Sequence, residues 1–320
     1  MIGCMMKKMF MKCLSPLYAI DYGVLNPETL KKKIKILSRV QSLPGARIHL
    51  EERFGAGSVL ELPCGKCINC KINYSRTWAI RCMCEALYHE DNFFVTLTFN
   101  EENYVTGYEK LRREAQLFFK RLRKVFPGVR YFGCCEKGDH LRNHFHFILF
   151  GLPLADLKCL GKGPKGGYYY ESKLLQKIWS KGFITIGDVN YTTCNYVAQY
   201  CLKKVYRSDN DEEFVMMSTK PGIGTQYFKD HWQDIYDTDK VYLSNGDTLL
   251  EHIPPRYFDK LLDRIHPLLL DVVKRERLNK AQAFRFDKLI KFNCATDEDL
   301  LKLDVQVAID KMKDRIRKRR

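Results

Sequence analysis

GDHLRNHFHFILFG, residues 138–151, holds three histidines within seven residues and closes on an apolar run from Phe147 to Phe150. That run is aromatic and β-branched and stops at a glycine, which reads as a buried strand. A strand turns successive side chains to opposite faces, so His144 and His146 share one face while Phe145 and Phe147 take the other. Just upstream, VRYFGCCE (129–136) reads as a second strand, with GDHLRN as the loop between the two. If this hairpin closes symmetrically over residues 137–143, Glu136 lies opposite His144 on the histidine face. Two imidazoles and a carboxylate would then converge from neighbouring strands, a mixed set that suits Mn²⁺ and accepts Mg²⁺. His140 in the loop is a substitute ligand. With eight histidines in 320 residues, an H-x-H arises by chance in about one such chain in five. The alternative, that both histidines donate to loop carbonyls, stays open on this pattern alone.

Working outward, Ile68–Glu90 carries apolar residues near helical spacing. FFVTLTF (93–99) is a strand with Thr96 and Thr98 on one face. Residues 107–128 form a helix presenting Leu111, Ala115, Phe118, Phe119 and Leu122, closed by Pro127-Gly128. LLQKIWSKG (174–182) is a short helix and GFITIGDV (182–189) a strand. TTCNYVAQYCLKKVY (192–206) is a helix with Thr192 or Thr193 as N-cap. The order α-β-α-β-β-α-β-α, with an apparent hairpin, predicts an α+β fold: an antiparallel sheet flanked by helices. Residues 1–62 read as an N-terminal segment of loops and short strands, with a basic helical piece at PETLKKKIKILSRV (27–40). Residues 63–206 form the core, and 207–320 a basic, partly helical C-terminal extension ending in KMKDRIRKRR.

The formal charge of +16 points to a polyanionic partner, and nucleic acid fits best. No run of 18 apolar residues is present, so no helix is expected to span a membrane. The N-terminus lacks the pattern of a signal peptide. Thirteen cysteines without an export signal imply a reduced, cytoplasmic protein whose cysteines are core residues or metal ligands. Basic stretches at Lys31–Lys33, at KRLRK (120–124) and in the tail, with Trp78, Tyr131 and Phe132 as stacking aromatics, suggest a single-stranded DNA surface.

Two further constellations carry chemistry. Tyr196 and Tyr200 are four apart on a helix and share a face, and Lys203 and Lys204 continue it. Such a pair is commonly core or amphipathic surface, yet a tyrosine hydroxyl with a lysine to stabilise its charge can attack a phosphodiester. A metal held by His144 and His146 would polarise the phosphate oxygens. Separately, Cys64, Cys67 and Cys70 have the spacing of structural zinc ligands. If one helix follows, Cys82 lies about 18 Å beyond Cys70 and cannot share the ion. Cys4, Cys13, Cys134 or another distant residue would have to close the site. The alternative is buried structural cysteines.

FVTLTF, then HFHFILFG, then YVAQYCLKK resembles the three-motif series of the HUH rolling-circle replication endonucleases. The resemblance is strongest to the replication initiator proteins of microviruses, in particular the gokushovirus group. PCGKCINCKINYSRTWAIRCM, LFFKRLRK, WSKGFITIGDVNY and EFVMMSTKPGIG are similar to segments of that group, so the likeness covers most of residues 60–265. It implies a small antiparallel sheet flanked by helices, like an RNA-recognition module. His144 and His146 match the metal-binding pair, with Glu136 a third ligand by position. Tyr196 and Tyr200 match the paired tyrosines, and Lys203 and Lys204 the helix lysines. The implied activity is nicking and rejoining of single-stranded origin DNA with Mg²⁺ or Mn²⁺, leaving a 5′-phosphotyrosine and a free 3′-OH for the host replication machinery in the bacterial cytoplasm. Cys84 stands where a histidine is frequent in the family. Residues 1–10 have no counterpart, so Met11 is the expected start. No GxxxxGK[ST] loop is present, so no fused helicase is expected. The competing reading is a non-enzymatic, zinc-containing nucleic-acid-binding regulator. A third is an HUH enzyme of another setting, such as a transposase or relaxase.

Overall fold

The computed structural model describes residues 12–25, 27, 32–38, 46–55, 57–137, 142–163, 167–200, 212–245, 248–296, 299–300, 302–307 and 310. These form two compact units, one from Tyr74–Val273 and one from the stretches flanking it.

In the flanking unit, β1 (Leu17–Leu25), β2 (Lys32–Ile36) and β3 (Val59–Leu62) make an antiparallel sheet ordered β2-β1-β3, accompanied by helix α1 (Ala46–Phe54). The stretch read as a basic helix is therefore a strand. KKIKI alternates charge with a β-branched residue, and its pairing of Ile34 and Ile36 with Asp21 and Ala19 of β1 overrides the lysines' helix preference. The core of this unit is small: Tyr18, Ile20, Leu37 and Val59, with Leu50 packed against them.

The larger unit is built on a seven-stranded sheet. Helix α2 (Ile68–Ala86) leads into β4 (Asn92–Phe99), α3 (Tyr108–Val125), β5 (Arg130–Lys137) and β6 (Asn143–Phe150). Strands β7 (Lys158–Lys162) and β8 (Tyr168–Glu171), helix α4 (Lys173–Trp179), strand β9 (Gly182–Asp188), helix α5 (Tyr191–Tyr200) and strand β10 (Phe214–Met217) follow. The strand order is β10-β5-β6-β4-β9-β8-β7, with every pairing antiparallel. The fold is thus the α+β arrangement expected.

Alternation along the strands sorts the side chains into two cores. On one face Phe145, Phe147 and Leu149 of β6 meet Val95 and Leu97 of β4 and the buried stripe of α3, Leu111, Ala115, Phe118, Phe119 and Leu122. Burying each of these large side chains contributes about 1.5–3 kcal/mol. On the other face Ile148 and Phe150 meet Trp78, Ala79 and Cys82 of α2 and Cys194, Val197 and Ala198 of α5. Gly133 of β5 stands opposite Phe147, and a Cβ there would lie 2.2 Å from both the His146 carbonyl oxygen and Phe147 Cδ1. Only glycine lets the ring lie across the strand.

The segment after residue 212 packs with this same unit: α6 (Thr225–Thr238), the hairpin β11 (Val241–Asn245) and β12 (Thr248–His252), α7 (Arg256–Ile265) and the first residues of α8 (Pro267–Lys291). Ile80 and Cys84 of α2 enter its core with Phe228, Ile235, Val241, Phe258 and Leu262. Glu85 joins the parts. Its carboxylate pairs with Arg130 of β5 and accepts the Gly224 N–H at 2.7 Å at the start of α6. Among the described residues no helix is long and apolar enough to cross a membrane.

Candidate active site

Strand β6 runs between β5 and β4, so each of its histidines has a neighbour on either side. His144 lies between Glu136 and Thr98, and His146 between Cys134 and Thr96. The hairpin has the symmetric register expected, pairing Lys137 with Asn143 and Glu136 with His144. Asn143 is fully buried, and its Nδ2 donates to Glu212 at 2.8 Å, anchoring the first residue of β6. Residues 138–141, including His140, lie outside the described residues.

His146 is held from both ends of its ring. Nδ1 is 3.0 Å from Thr96 Oγ1, and Nε2 is 3.2 Å from Glu136 Oε2. The tautomer that donates from Nδ1 to the threonine leaves the Nε2 lone pair on the carboxylate side, where a metal would be ligated. The side chains of His146 and Glu136 are only 8% and 5% exposed, so a charge placed between them is little screened.

Helix α5 covers this face of the sheet. Its N-terminus is closed by Asn190, whose Oδ1 accepts the Thr193 N–H at 2.9 Å while Thr193 Oγ1 accepts the Asn190 N–H at 2.9 Å. The cap is therefore Asn190 rather than Thr192 or Thr193, with Thr193 serving as the reciprocal partner. Cys194, Val197 and Ala198 bury the i, i+3, i+4 face against β5 and β6. Tyr196 sits beside that buried face, edge-on to His146 with ring centroids 5.8 Å apart. Phe94 completes the cluster, stacked on His146 at 5.9 Å and edge-on to Tyr196 at 6.1 Å. Tyr200 is the last residue of α5, one turn beyond Tyr196. Its side chain, and Lys203 and Lys204, lie outside the described residues.

The donor set of His144, His146 and Glu136 fits a divalent ion such as Mn²⁺ or Mg²⁺ in chemistry: two neutral imidazoles and a carboxylate on adjacent strands. His146 and Glu136 form a ready half-site. The His144 ring stands edge-on to His146 at 5.5 Å. Among the described residues, only a cysteine quartet brings three or more donor atoms within 4.8 Å of one another, so a side chain of the histidine set must turn to complete it.

That quartet contains Cys64, Cys67 and Cys70, joined by Cys13. Cys82 and Cys84 are fully buried in the apolar cores of the larger unit, and Cys134 is 1% exposed. Because Ile68–Ala86 is one helix, Cys82 is carried away from Cys70 as its length requires.

Two sequence expectations are corrected. Trp78, Tyr131 and Phe132 are core rings, at most 9% exposed. Trp78 stacks on Phe132 at 4.5 Å and Tyr131 on Phe119 at 3.7 Å, which leaves no ring face for a base. In KRLRK, Arg121 donates to the Ile178 carbonyl at 2.8 Å and the Trp179 carbonyl at 3.3 Å. Arg123 lies over the rings of Phe119 and Tyr131. These two arginines brace the fold, while Lys120 and Lys124 of the same stretch are exposed. Thr96 and Phe94 were not singled out from sequence as site residues. Alternation put Thr96 on one face of β4, but only the non-local pairing of β4 with β6 brings it to His146.

Histidines, carboxylate and tyrosine helix on one face of an antiparallel sheet all fall within residues 92–205, which match the family model of the ORF2 type of replication-associated protein. The class is therefore that of replication-associated proteins. Among known relatives, the replication-associated protein ORF2 of Spiroplasma virus 4 is 33% identical over 249 residues, covering 72% of this chain and 77% of that one. The replication-associated protein VP4 of Bdellovibrio phage phiMH2K is 28% identical, covering 78% and 86%. The replication-associated protein ORF4 of Chlamydia phage 1 is 26% identical, covering 64% and 54%. The chain belongs to the replication-associated proteins of microviruses. No solved structure gives a significant match.

Proposed function

We propose that this protein nicks and rejoins single-stranded origin DNA by metal-assisted tyrosine transesterification, initiating rolling-circle replication in the host cytoplasm. The observation that carries the reading is the packing of Tyr196 against His146, which puts a phenol beside an imidazole and carboxylate set suited to a divalent ion. A core or surface tyrosine has no need of that neighbour.

In this scheme the Tyr196 phenolic oxygen attacks the scissile phosphorus. A new P–O bond to tyrosine forms as the bond to the 3′-oxygen breaks, and the proton given up by the phenol is balanced by the one the 3′-oxygen takes up. The products are a 5′-phosphotyrosine and a free 3′-OH for the host polymerase. The phosphodiester bond is exchanged, not hydrolysed, so the reverse attack rejoins ends without ATP. A bound Mn²⁺ or Mg²⁺ supplies Lewis-acid polarisation of the non-bridging phosphate oxygens. His144, His146 and Glu136 hold that ion, and Thr96 fixes the His146 ring. Lys203 and Lys204 offset the charge that develops on phosphate and phenolate. Tyr200, one turn along the helix, cuts the new junction while Tyr196 holds the old 5′ end, and alternation between them releases unit-length circles.

The test is cleavage of single-stranded origin DNA labelled at either end, with Mn²⁺, resolved on a denaturing gel. The expected result is a 3′-labelled fragment that migrates with the protein and a free 5′-labelled fragment. Both should require metal and vanish in Tyr196→Phe/Tyr200→Phe while binding survives. Tight binding without cleavage, across several origin candidates and metals, would instead support the non-enzymatic regulator.

A further inference from the structure

Four cysteines from two distant stretches of chain converge in the flanking unit. Cys13 Sγ lies 3.8 Å from Cys67 Sγ, and Cys64 Sγ lies 4.0 Å from Cys70 Sγ. All four sulfurs are within 4.8 Å of one another. A disulfide needs about 2.05 Å, so none of these contacts is one. Zinc–thiolate bonds of about 2.3 Å in a tetrahedron put the sulfurs about 3.8 Å apart, which is the spacing seen.

The surroundings also differ from those of a core thiol. Cys82, Cys84 and Cys194 are fully buried and packed among apolar side chains, whereas Cys13, Cys64 and Cys67 are half-buried and ringed by backbone amides. Cys64 N–H donates to Cys13 Sγ at 3.3 Å. Lys66 and Cys67 N–H donate to Cys64 Sγ at 3.4 and 3.2 Å. Leu14 and Cys70 N–H donate to Cys67 Sγ at 3.4 and 3.5 Å. Amides turned onto sulfur stabilise thiolates, the form that binds metal. Cys67 and Cys70 also sit at the start of α2, where the helix end favours negative charge.

From this geometry we infer that Cys13, Cys64, Cys67 and Cys70 bind one structural zinc ion, with Cys13 as the ligand that closes the site. Four thiolates fill a tetrahedron and leave no position for water or phosphate, so the ion is structural. Its position explains why the unit needs it. Cys13 precedes β1 and Cys64 follows β3, at the end of the sheet where Leu17 pairs with Leu62. Asn69 of α2 donates to the Lys12 carbonyl at 2.8 Å, laying the Cys13 segment over the first turn of the helix. The zinc therefore ties three chain segments together beside a core of four buried residues and Leu50, too little apolar surface to hold the sheet alone. The inference stands independently of the nicking chemistry.

The test is metal analysis of the full chain purified without a metal-affinity step, followed by exchange into Co²⁺. The expected result is one zinc per chain, and on exchange the intense ligand-field and thiolate charge-transfer absorption of tetrahedral four-thiolate cobalt. Cys67→Ser should lose the ion. Cys13→Ser should lose it or shift the cobalt spectrum to the three-thiolate form. Cys159→Ser, at an exposed cysteine of β7, should match the parent. Cobalt bound at the histidines instead would lack thiolate charge transfer, so the two sites are distinguishable. A wild-type chain folded by circular dichroism, with no zinc above the buffer blank and no cobalt–thiolate bands, would overturn the inference. So would a Cys13→Ser spectrum identical to the parent's, for Cys13.

Discussion

Tyr196 stands edge-on to His146 at 5.8 Å between ring centroids, and Phe94 touches both. A helix residue and a strand residue fifty positions apart are thereby locked in one cluster beside Glu136. If Tyr196 is the nucleophile for first cleavage, Tyr196→Phe lowers covalent adduct formation more than about 10²-fold. DNA affinity should stay near that of the parent, because only a hydroxyl is removed. Quantified adduct yield against filter binding checks both halves, and an unchanged yield would assign the first cut elsewhere.

Thr96 supplies the outer hydrogen bond of the His146 ring at 3.0 Å. Thr96→Val keeps the β-branched shape and removes the partner. Loss of such an outer bond typically costs 10- to 100-fold in metal affinity or activity, so the Mn²⁺ concentration for half-maximal nicking should rise about 10-fold or more. Saturating Mn²⁺ should recover much of the rate. An unchanged Mn²⁺ titration would show that Thr96 does not support the metal ligand.

Glu85 couples α2 to β5 and to the turn before α6. Burial works against its ionisation, but hydrogen bonds from His89, the Gly224 N–H and Arg130 outweigh it, holding its carboxyl below the usual range. A depressed carboxylate contributes stability that is present above its unfolded pKa and lost as pH falls through the folded one. Stability should therefore decline below about pH 4.5, and Glu85→Gln should flatten that part of the profile. At neutral pH the substitution should cost about 2 kcal/mol, read from denaturant midpoints.

Gly133→Ala places a methyl against the His146 carbonyl and the Phe147 ring, 2.2 Å from each. The carbonyl belongs to a central strand and cannot swing away, so the sheet must shift, at about 1–3 kcal/mol. Because the displaced residue is His146, nicking should fall further than the lost stability explains. Thermal melts read beside cleavage rates separate the two effects.

Much of this site was legible in the sequence because it depends on local rules. Strand parity put His144 and His146 on one face, hairpin symmetry put Glu136 opposite His144, and helical spacing aligned Tyr196 with Tyr200. What was not legible depends on non-local pairing. Thr96 reaches His146 only because β4 is the other neighbour of β6. Cys13 reaches Cys67 only because β1 pairs with β3. The basic run at Lys32–Ile36 misled because lysine's helix preference is weak beside a paired strand edge, and Trp78 and Phe132 misled because aromatics that can stack on bases can equally stack on each other.

The central claim is that a tyrosine of α5 becomes covalently joined to DNA, and peptide mapping of the adduct tests it most directly. Protein reacted with origin DNA and Mn²⁺ is treated with nuclease and trypsin, and the nucleotide-bearing peptide is sequenced by mass spectrometry. The account predicts a nucleotide on the peptide spanning residues 182–203, attached at Tyr196 or Tyr200. Attachment at Tyr191 or on any other peptide, or cleaved DNA with no adduct, would contradict it.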